Sequence, residues 1–139
     1  PFCGYNMADY WQHWIDIGAT LDPDKAPKIF NVNWFRKDDE GNFMWPGFGD
    51  NLRVLEWIIK RCEGKVDAQE TAIGYLPYAK DINLEGLDMT EADLEKILDV
   101  DKNLWEEEAN GIEEFFKKFG DKLPKELKES LETLKANLK

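Results

Sequence analysis

Residues 33–51 set five large rings, Trp34, Phe35, Phe43, Trp45 and Phe48, among three glycines, Gly41, Gly47 and Gly49, with Pro46 beside them. No helix or long strand runs through such a stretch, because glycine and proline interrupt both. The rings must still leave water or meet a ligand. On the residues alone, two readings stay open. In one, the rings are core, as aromatic side chains commonly are. In the other, they line a pocket for a planar heteroaromatic base. Phe48 lies between Gly47 and Gly49, where the backbone bends and a flat ligand can approach closely. Polar Asn51 follows at a predicted helix start. Flanking rings, an amide and exposed backbone groups suit such a base, and each stacked base contributes roughly 1–3 kcal/mol.

The aromatic weight is uneven. Residues 1–57 hold five of the six Trp and twelve of the eighteen aromatics. Residues 80–139 hold 10 Lys/Arg against 17 Asp/Glu, so −7 of the chain's −11 lies there. A length of 139 residues fits one ordinary domain with a real core. The charge argues against nucleic-acid backbones and anionic membrane surfaces, which want basic patches. The aromatic content argues against disorder. No stretch approaches the roughly 18 apolar residues of a membrane helix.

Periodicity predicts the elements. Met7, Tyr10, Trp11, Trp14 and Ile15 form a helical stripe starting near Asn6 and ended by Gly18, with Asp9, Gln12, His13 and Asp16 on the other face. Lys28 to Phe35 alternates Phe30, Val32 and Trp34 with Ile29, Asn31, Asn33 and Phe35, which predicts a strand. A charged turn pivoting on Gly41 leads to a short return strand at Phe43–Met44–Trp45. Asp50 or Asn51 caps the next helix, whose stripe is Leu55, Ile58, Ile59 and Cys62, with Gly64 just past its end. Residues 65–89 lack a strong period, and Ile73 to Pro77 reads as an extended crossing segment. Thr90-x-x-Asp93 is a capping-box-like start before Leu94, Ile97 and Leu98. Trp105, Ile112, Phe116 and Phe119 continue a helical stripe, interrupted by Gly111 and stopped by Gly120. Pro124 suits the first turn of a last helix lined by Leu127, Leu131, Leu134 and Leu138. The expected fold is α+β and helix-rich, with amphipathic helices around a short β-hairpin or strand element.

Most catalytic chemistry is excluded. One His, His13, rules out a multi-histidine metal site and reads as a solvated side chain. The only Ser, Ser130, lies in a charged helix, so a Ser-His-Asp triad has no members. Cys3 and His13 have nothing to orient them as nucleophile and base. Neither GxxxxGK[ST] nor GxGxxG occurs. The runs Asp38–Asp39–Glu40 and Glu106–Glu107–Glu108 read as solvated surface. Cys3 and Cys62 form no CxxC pair, and two thiols of this kind suit a reducing cytoplasm. The opening Pro1-Phe2-Cys3-Gly4-Tyr5 is no signal peptide and reads like chain from within something larger.

Pro27 to Asp38 (PKIFNVNWFRKD), Gly41 to Asn51 (GNFMWPGFGDN) and Arg53 to Trp57 (RVLEW) closely resemble GTP-dependent phosphoenolpyruvate carboxykinase. So do Pro1-Phe2-x-Gly4-Tyr5-Asn6 and Ile73-Gly74-Tyr75. The resemblance covers the whole chain, dense to about residue 90 and diffuse beyond. It implies the C-terminal segment of that enzyme, part of its nucleotide-binding domain, with 1–79 the aromatic guanine-pocket part and 80–139 the acidic helical part. The family converts oxaloacetate and GTP to phosphoenolpyruvate, carbon dioxide and GDP in gluconeogenesis, using Mn²⁺ or Mg²⁺. The resemblance assigns Phe35 and Phe48 to stacking on the base, Phe43 to closing its edge and Trp34 to supporting the wall. The backbone of Phe48, Gly49, Asp50 and Asn51, with the Asn51 amide, would read the guanine edge. Phe2 would lie near the substrate end of the cleft. Cys3 departs from the Phe usual at its position. The phosphate loop, the metal ligands and the oxaloacetate-binding arginines fall outside this sequence. No residue here is therefore given a catalytic or metal-binding role, and the expected partners are the GTP or GDP base and the remainder of the same polypeptide. Two rival readings are a non-enzymatic aromatic module that grips a sugar or peptide, and a structural helical domain.

Overall fold

The computed structural model describes residues 3–139. In chain order the elements are α1 (Met7–Thr20), α2 (Asn51–Cys62), β1 (Gln69–Thr71), β2 (Gly74–Leu76), α3 (Glu91–Leu98), α4 (Lys102–Lys117) and α5 (Lys125–Asn137). Short 3-10 turns occur at Phe48–Asp50, Ala79–Asp81 and Gly120–Lys122. The result is helix-rich with one small antiparallel sheet, β1 against β2, in the register Gln69↔Leu76 and Thr71↔Gly74. The chain divides into two compact units. One comprises Lys28–Val100; the other joins Pro1–Pro27, of which 3–27 are described, to Asp101–Lys139.

The unit of Lys28–Val100 is built on two tryptophans. Trp45 and Trp57 are 6% and 4% exposed and are buried together with Ala79, Ile82 and Leu94. Val54 and Ile58 of α2 and Ile97 and Leu98 of α3 pack against that centre. The predicted strand over Lys28 to Phe35 does not form. Its alternation has no partner to pair with, and Asn33 turns its side chain onto the Phe35 N–H (2.9 Å), a local bond that competes with a ladder. The return strand shrinks to a single bridge, Lys37 to Phe43. The hairpin forms instead inside the stretch that has no strong period, turning at Ala72 and Ile73, with Gly74 opening β2 at φ +116°.

The stripe of α2 is also rotated from expectation. Val54, Trp57 and Ile58 face the core, whereas Leu55, Ile59 and Cys62 are exposed. Trp57 decides this, because the largest apolar surface on the helix takes the buried position. Gly64 ends α2 as predicted, at φ +69°. The Lys65 N–H reaches Lys60 O (2.9 Å) and the Gly64 N–H reaches Arg61 O (3.2 Å), a Schellman ending. α3 starts at the predicted capping box: the Thr90 hydroxyl accepts from the Asp93 N–H (3.2 Å), and the Asp93 carboxylate accepts from the Thr90 N–H (3.1 Å).

In the other unit, Asn6 caps α1, accepting the Ala8 N–H at 2.9 Å. The helix runs past Gly18 to Thr20, because Gly18 sits at an exposed position with helical neighbours on both sides. Its inner face is Ala8, Trp11 and Ile15, while Met7, Tyr10 and Trp14 of the predicted stripe are exposed. Trp11 packs edge-on against Phe115, Phe116 and Phe119, nearest to Phe119 at 4.8 Å between ring centres. Asp101 caps α4, which passes through Gly111 unbroken and buries Ala109. α4 ends at Lys117, three residues before Gly120. Pro124 stands just before α5 rather than inside its first turn, and Leu131 and Leu138 are buried on its inner face.

Candidate functional site

The aromatic segment folds into an arm and a turn, both carried by the Lys28–Val100 unit. Asp38 makes the arm. Its carboxylate accepts the backbone N–H of Asn42 (2.8 Å) and of Glu40 (3.0 Å), and also the Asn42 side-chain amide (3.2 Å). These bonds, the Asn42 backbone first among them, hold the Asp38 carboxyl below its ordinary 3.8. The Asp38 N–H returns to Asn42 O (3.0 Å) and the Met44 N–H reaches Arg36 O (2.9 Å). A residue of the Asp38–Asp39–Glu40 run that reads as solvated surface is thus the turn's organiser.

The arm brings Phe35 and Phe43 side by side, ring centres 6.0 Å apart at 63°. Both rings stay open to solvent, at 71% and 58% exposure. The Lys37 ammonium lies 5.1 Å from the centre of the Phe43 ring. Arg36 ties the arm down by donating from Nη1 to Ile97 O (2.7 Å) and Asp99 O (2.8 Å), carbonyls at the end of α3. Terminal carbonyls lack helical partners and attract cations, so the anchor suits both ends.

Behind the arm, half-buried Trp34 lies 6.0 Å from Trp45 at 42°. Trp45 donates its indole N–H to Asn51 Oδ1 at 2.9 Å. Between these two residues the chain passes through Gly47, at φ +132° and ψ −168°, a conformation essentially reserved for glycine. The Phe48–Asp50 turn follows, and Phe48 projects almost fully, at 93% exposure. Asp50 does not cap α2 with its side chain. Its carboxylate pairs instead with Arg53 Nε at 3.0 Å, and Arg53 donates to Asn83 O (2.7 Å) and Glu85 O (3.0 Å). The turn is thereby fastened to the loop that precedes α3.

The fold therefore brings together Phe35 with Phe43, Trp34 with Trp45, and Trp45 with Asn51. Phe48 stands apart from the ring pairs, Gly49 faces open space, and Asp50 is engaged by Arg53. Phe2 lies outside the described residues. Sequence reasoning counted Trp45 among the rings without giving it a role, and did not single out Arg36 or Arg53. Only Arg53 carries a local signal, its i, i+3 spacing from Asp50. His13 is exposed on α1, and the Ser130 hydroxyl is occupied by Glu126 O (2.8 Å). A cavity of about 330 Å³ lies in the other unit, in the angle of α4 and α5, lined by Phe116, Leu123 and Leu131 with Lys128 and Lys135 at its edge. It holds none of the aromatic segment's residues.

The arm presents two open rings, the glycine turn a third, and the sequence around them is shared with known proteins. Residues 1–137 match the phosphoenolpyruvate carboxykinase C-terminal P-loop domain. The chain belongs to the phosphoenolpyruvate carboxykinase family. It is 52% identical over 138 residues to phosphoenolpyruvate carboxykinase (GTP) of Paenarthrobacter aurescens (strain TC1), covering 99% of this chain and 23% of that protein. It is 50% identical over 139 residues to the protein of that name from Treponema pallidum (strain Nichols), covering 99% of this chain and 22% of the relative. With that of Neocallimastix frontalis it shares 53% identity over 140 residues, 100% of this chain and 23% of the relative. The chain thus spans under a quarter of the length of these carboxykinases.

Among the described residues, no three His, Cys, Asp or Glu side chains are grouped so as to hold a metal ion. No helix among the described residues is long and apolar enough to cross a membrane. Cys3 and Cys62 are both free thiols.

Proposed function

We propose that this chain is the guanine-binding C-terminal segment of a GTP-dependent phosphoenolpyruvate carboxykinase, which converts oxaloacetate and GTP to phosphoenolpyruvate, carbon dioxide and GDP. The carrying observation is the Phe35–Phe43 pair, held open to solvent by the Asp38 turn and the Arg36 anchor, with Phe48 exposed on the glycine turn of the same segment. Open rings on anchored backbone favour a ligand that covers them, and a purine does so at roughly 1–3 kcal/mol per stacked base. Phe35 and Phe48 take the faces of the base, Phe43 its edge, and Trp34 backs the wall. The backbone of Phe48, Gly49, Asp50 and Asn51, with the Asn51 amide, reads the edge.

The role of these residues is to bind and orient. A base fixed at one end places the triphosphate at the other, which converts an encounter into a positioned reaction. The Mn²⁺ or Mg²⁺, the phosphate grip and the oxaloacetate contacts come from the rest of the polypeptide. The isolated chain therefore has no carboxykinase turnover and binds guanosine nucleotides weakly. Its two free thiols suit a reducing, cytoplasmic setting.

In the full-length enzyme, Phe48→Ala raises KM for GTP by about five- to a hundredfold, the size of one lost stacking contact, and leaves KM for oxaloacetate nearly unchanged. Equal effects on the two substrates would count against the pocket.

A further inference from the structure

Trp45 is buried at 6% exposure, and its indole can donate a hydrogen bond but not accept one. The partner of its Nε1 is Asn51 Oδ1, at 2.9 Å. A carboxamide has an accepting end and a donating end of nearly equal size, and a partner must choose between them. An indole chooses without ambiguity: it takes the oxygen. Both residues are held in place from elsewhere. Trp45 packs on Trp34 and in the centre with Trp57, and Asn51 follows the turn that Arg53 fastens through Asp50.

We propose that Trp45 is a positioning residue that sets the base selectivity of the site, by locking the Asn51 amide so that only its NH₂ end is offered to the nucleotide. The inference rests on the guanine-pocket reading above. An NH₂ group needs an acceptor. Guanine carries a carbonyl oxygen at C6, whereas adenine carries an amine there. The locked amide pairs with the first and leaves two donors facing each other with the second, and unpaired buried polar groups are what make a site reject a near-isostere. Without the indole N–H, the amide turns over at little cost and its oxygen accepts from the adenine amine.

The test uses the full-length enzyme, with kcat/KM measured for GTP and ATP and KM for oxaloacetate followed alongside. Trp45→Phe lowers the GTP-over-ATP preference about tenfold, the scale of one neutral hydrogen bond, and leaves KM for oxaloacetate unchanged. Asn51→Asp keeps an oxygen for Trp45 and puts a second where the NH₂ stood, so the preference falls further. Its fold is secure, because an acidic residue is favoured in the first turn of a helix. A carboxylate is the same either way round. In the Asn51→Asp background, Trp45→Phe therefore moves the preference no further, whereas a merely structural tryptophan would act alike in both. Should Trp45→Phe fail to fold, benzothienylalanine at position 45 keeps the ring system and removes only the N–H. A preference unmoved by loss of the N–H, or moved equally in both backgrounds, overturns the proposal. If that occurs while Phe48→Ala still raises KM for GTP, the pocket reading stands and only the role of Trp45 falls. If Phe48→Ala leaves KM for GTP unchanged, the pocket reading falls and takes this proposal with it.

Discussion

Gly47 and Gly49 flank the same ring but are glycine for different reasons. Gly47 sits at φ +132° with open space around it, so a side chain there meets no neighbour and is strained by the backbone alone. Gly49 has no such backbone demand, and it too faces open space. Gly47→Ala is therefore expected to cost about 1–3 kcal/mol and to re-aim Phe48, whereas Gly49→Ala leaves thermal stability near the parent value. If a base approaches the turn closely, Gly49→Ala still raises KM for GTP in the full-length enzyme. Unchanged stability with unchanged KM would mean that nothing stacks over that turn. Asp38 makes a second residue-scale prediction. Its folded value lies below its ordinary 3.8, so the bonds it accepts are fully present above that pH and are lost as pH falls through the lower, folded value. The Glu40 and Asn42 amide resonances should shift together in acid, with a midpoint under 3.8. Asp38→Asn should abolish that transition. Sequence reading identified the rings and missed what aims them. Asp38 looks like any member of an acidic run until the chain turns back on it, and Arg36 finds its carbonyls 61 and 63 residues away.

Elements whose cause is local were readable in advance, and those that need a distant partner were not. The Thr90–Asp93 box, the helix start at Asn6 and the Gly64 ending are each written within a few residues and form as predicted. The Lys28 to Phe35 strand has the right alternation and nothing to pair with, so it stays irregular. The β1–β2 hairpin has three-residue strands, too short for a period to register. For α1 and α2 the helix was legible and its inward face was not. Both carry apolar residues around more than half their surface, and a face is chosen only by what packs against it. The α3 cap gives a quantitative check. Thr90→Ala removes a hydroxyl that accepts from Asp93, at a cost of about 1 kcal/mol. Amide exchange in the first turn of α3 should then quicken by about fivefold, with the α5 amides unaffected. Equal acceleration in both helices would mean that the cap acts on the whole fold.

At the scale of the molecule, the acidic back half of the sequence is not an acidic body. Lys28–Val100 carries 9 Lys/Arg against 15 Asp/Glu, and the other unit 9 against 14, so the charge divides as −6 and −5. What is unevenly placed is exposed apolar surface. On α1, Tyr10, Trp14 and Ile17 recur at helical spacing, with Trp14 57% exposed. On α2, Leu52, Leu55 and Ile59 do the same, with Leu52 72% exposed. Single exposed apolar residues are ordinary, but contiguous helical stripes of them mark surfaces that meet something. The relatives carry more than four times the length of this chain, and on the proposal above the rest of the polypeptide covers these stripes. The isolated chain should therefore enhance the fluorescence of an apolar dye such as anilinonaphthalene sulfonate, and the full-length enzyme should not. Trp14→Lys or Ile59→Lys in the isolated chain should reduce the dye signal while leaving helical circular dichroism intact, because exposed side chains rarely shift stability by more than about 0.5 kcal/mol. In the full-length enzyme the same substitutions bury a charge against a partner surface and should destabilise it by several kcal/mol. Dye enhancement that is equal in the isolated chain and the full-length enzyme would show that the stripes stay exposed in both and have no intramolecular cover.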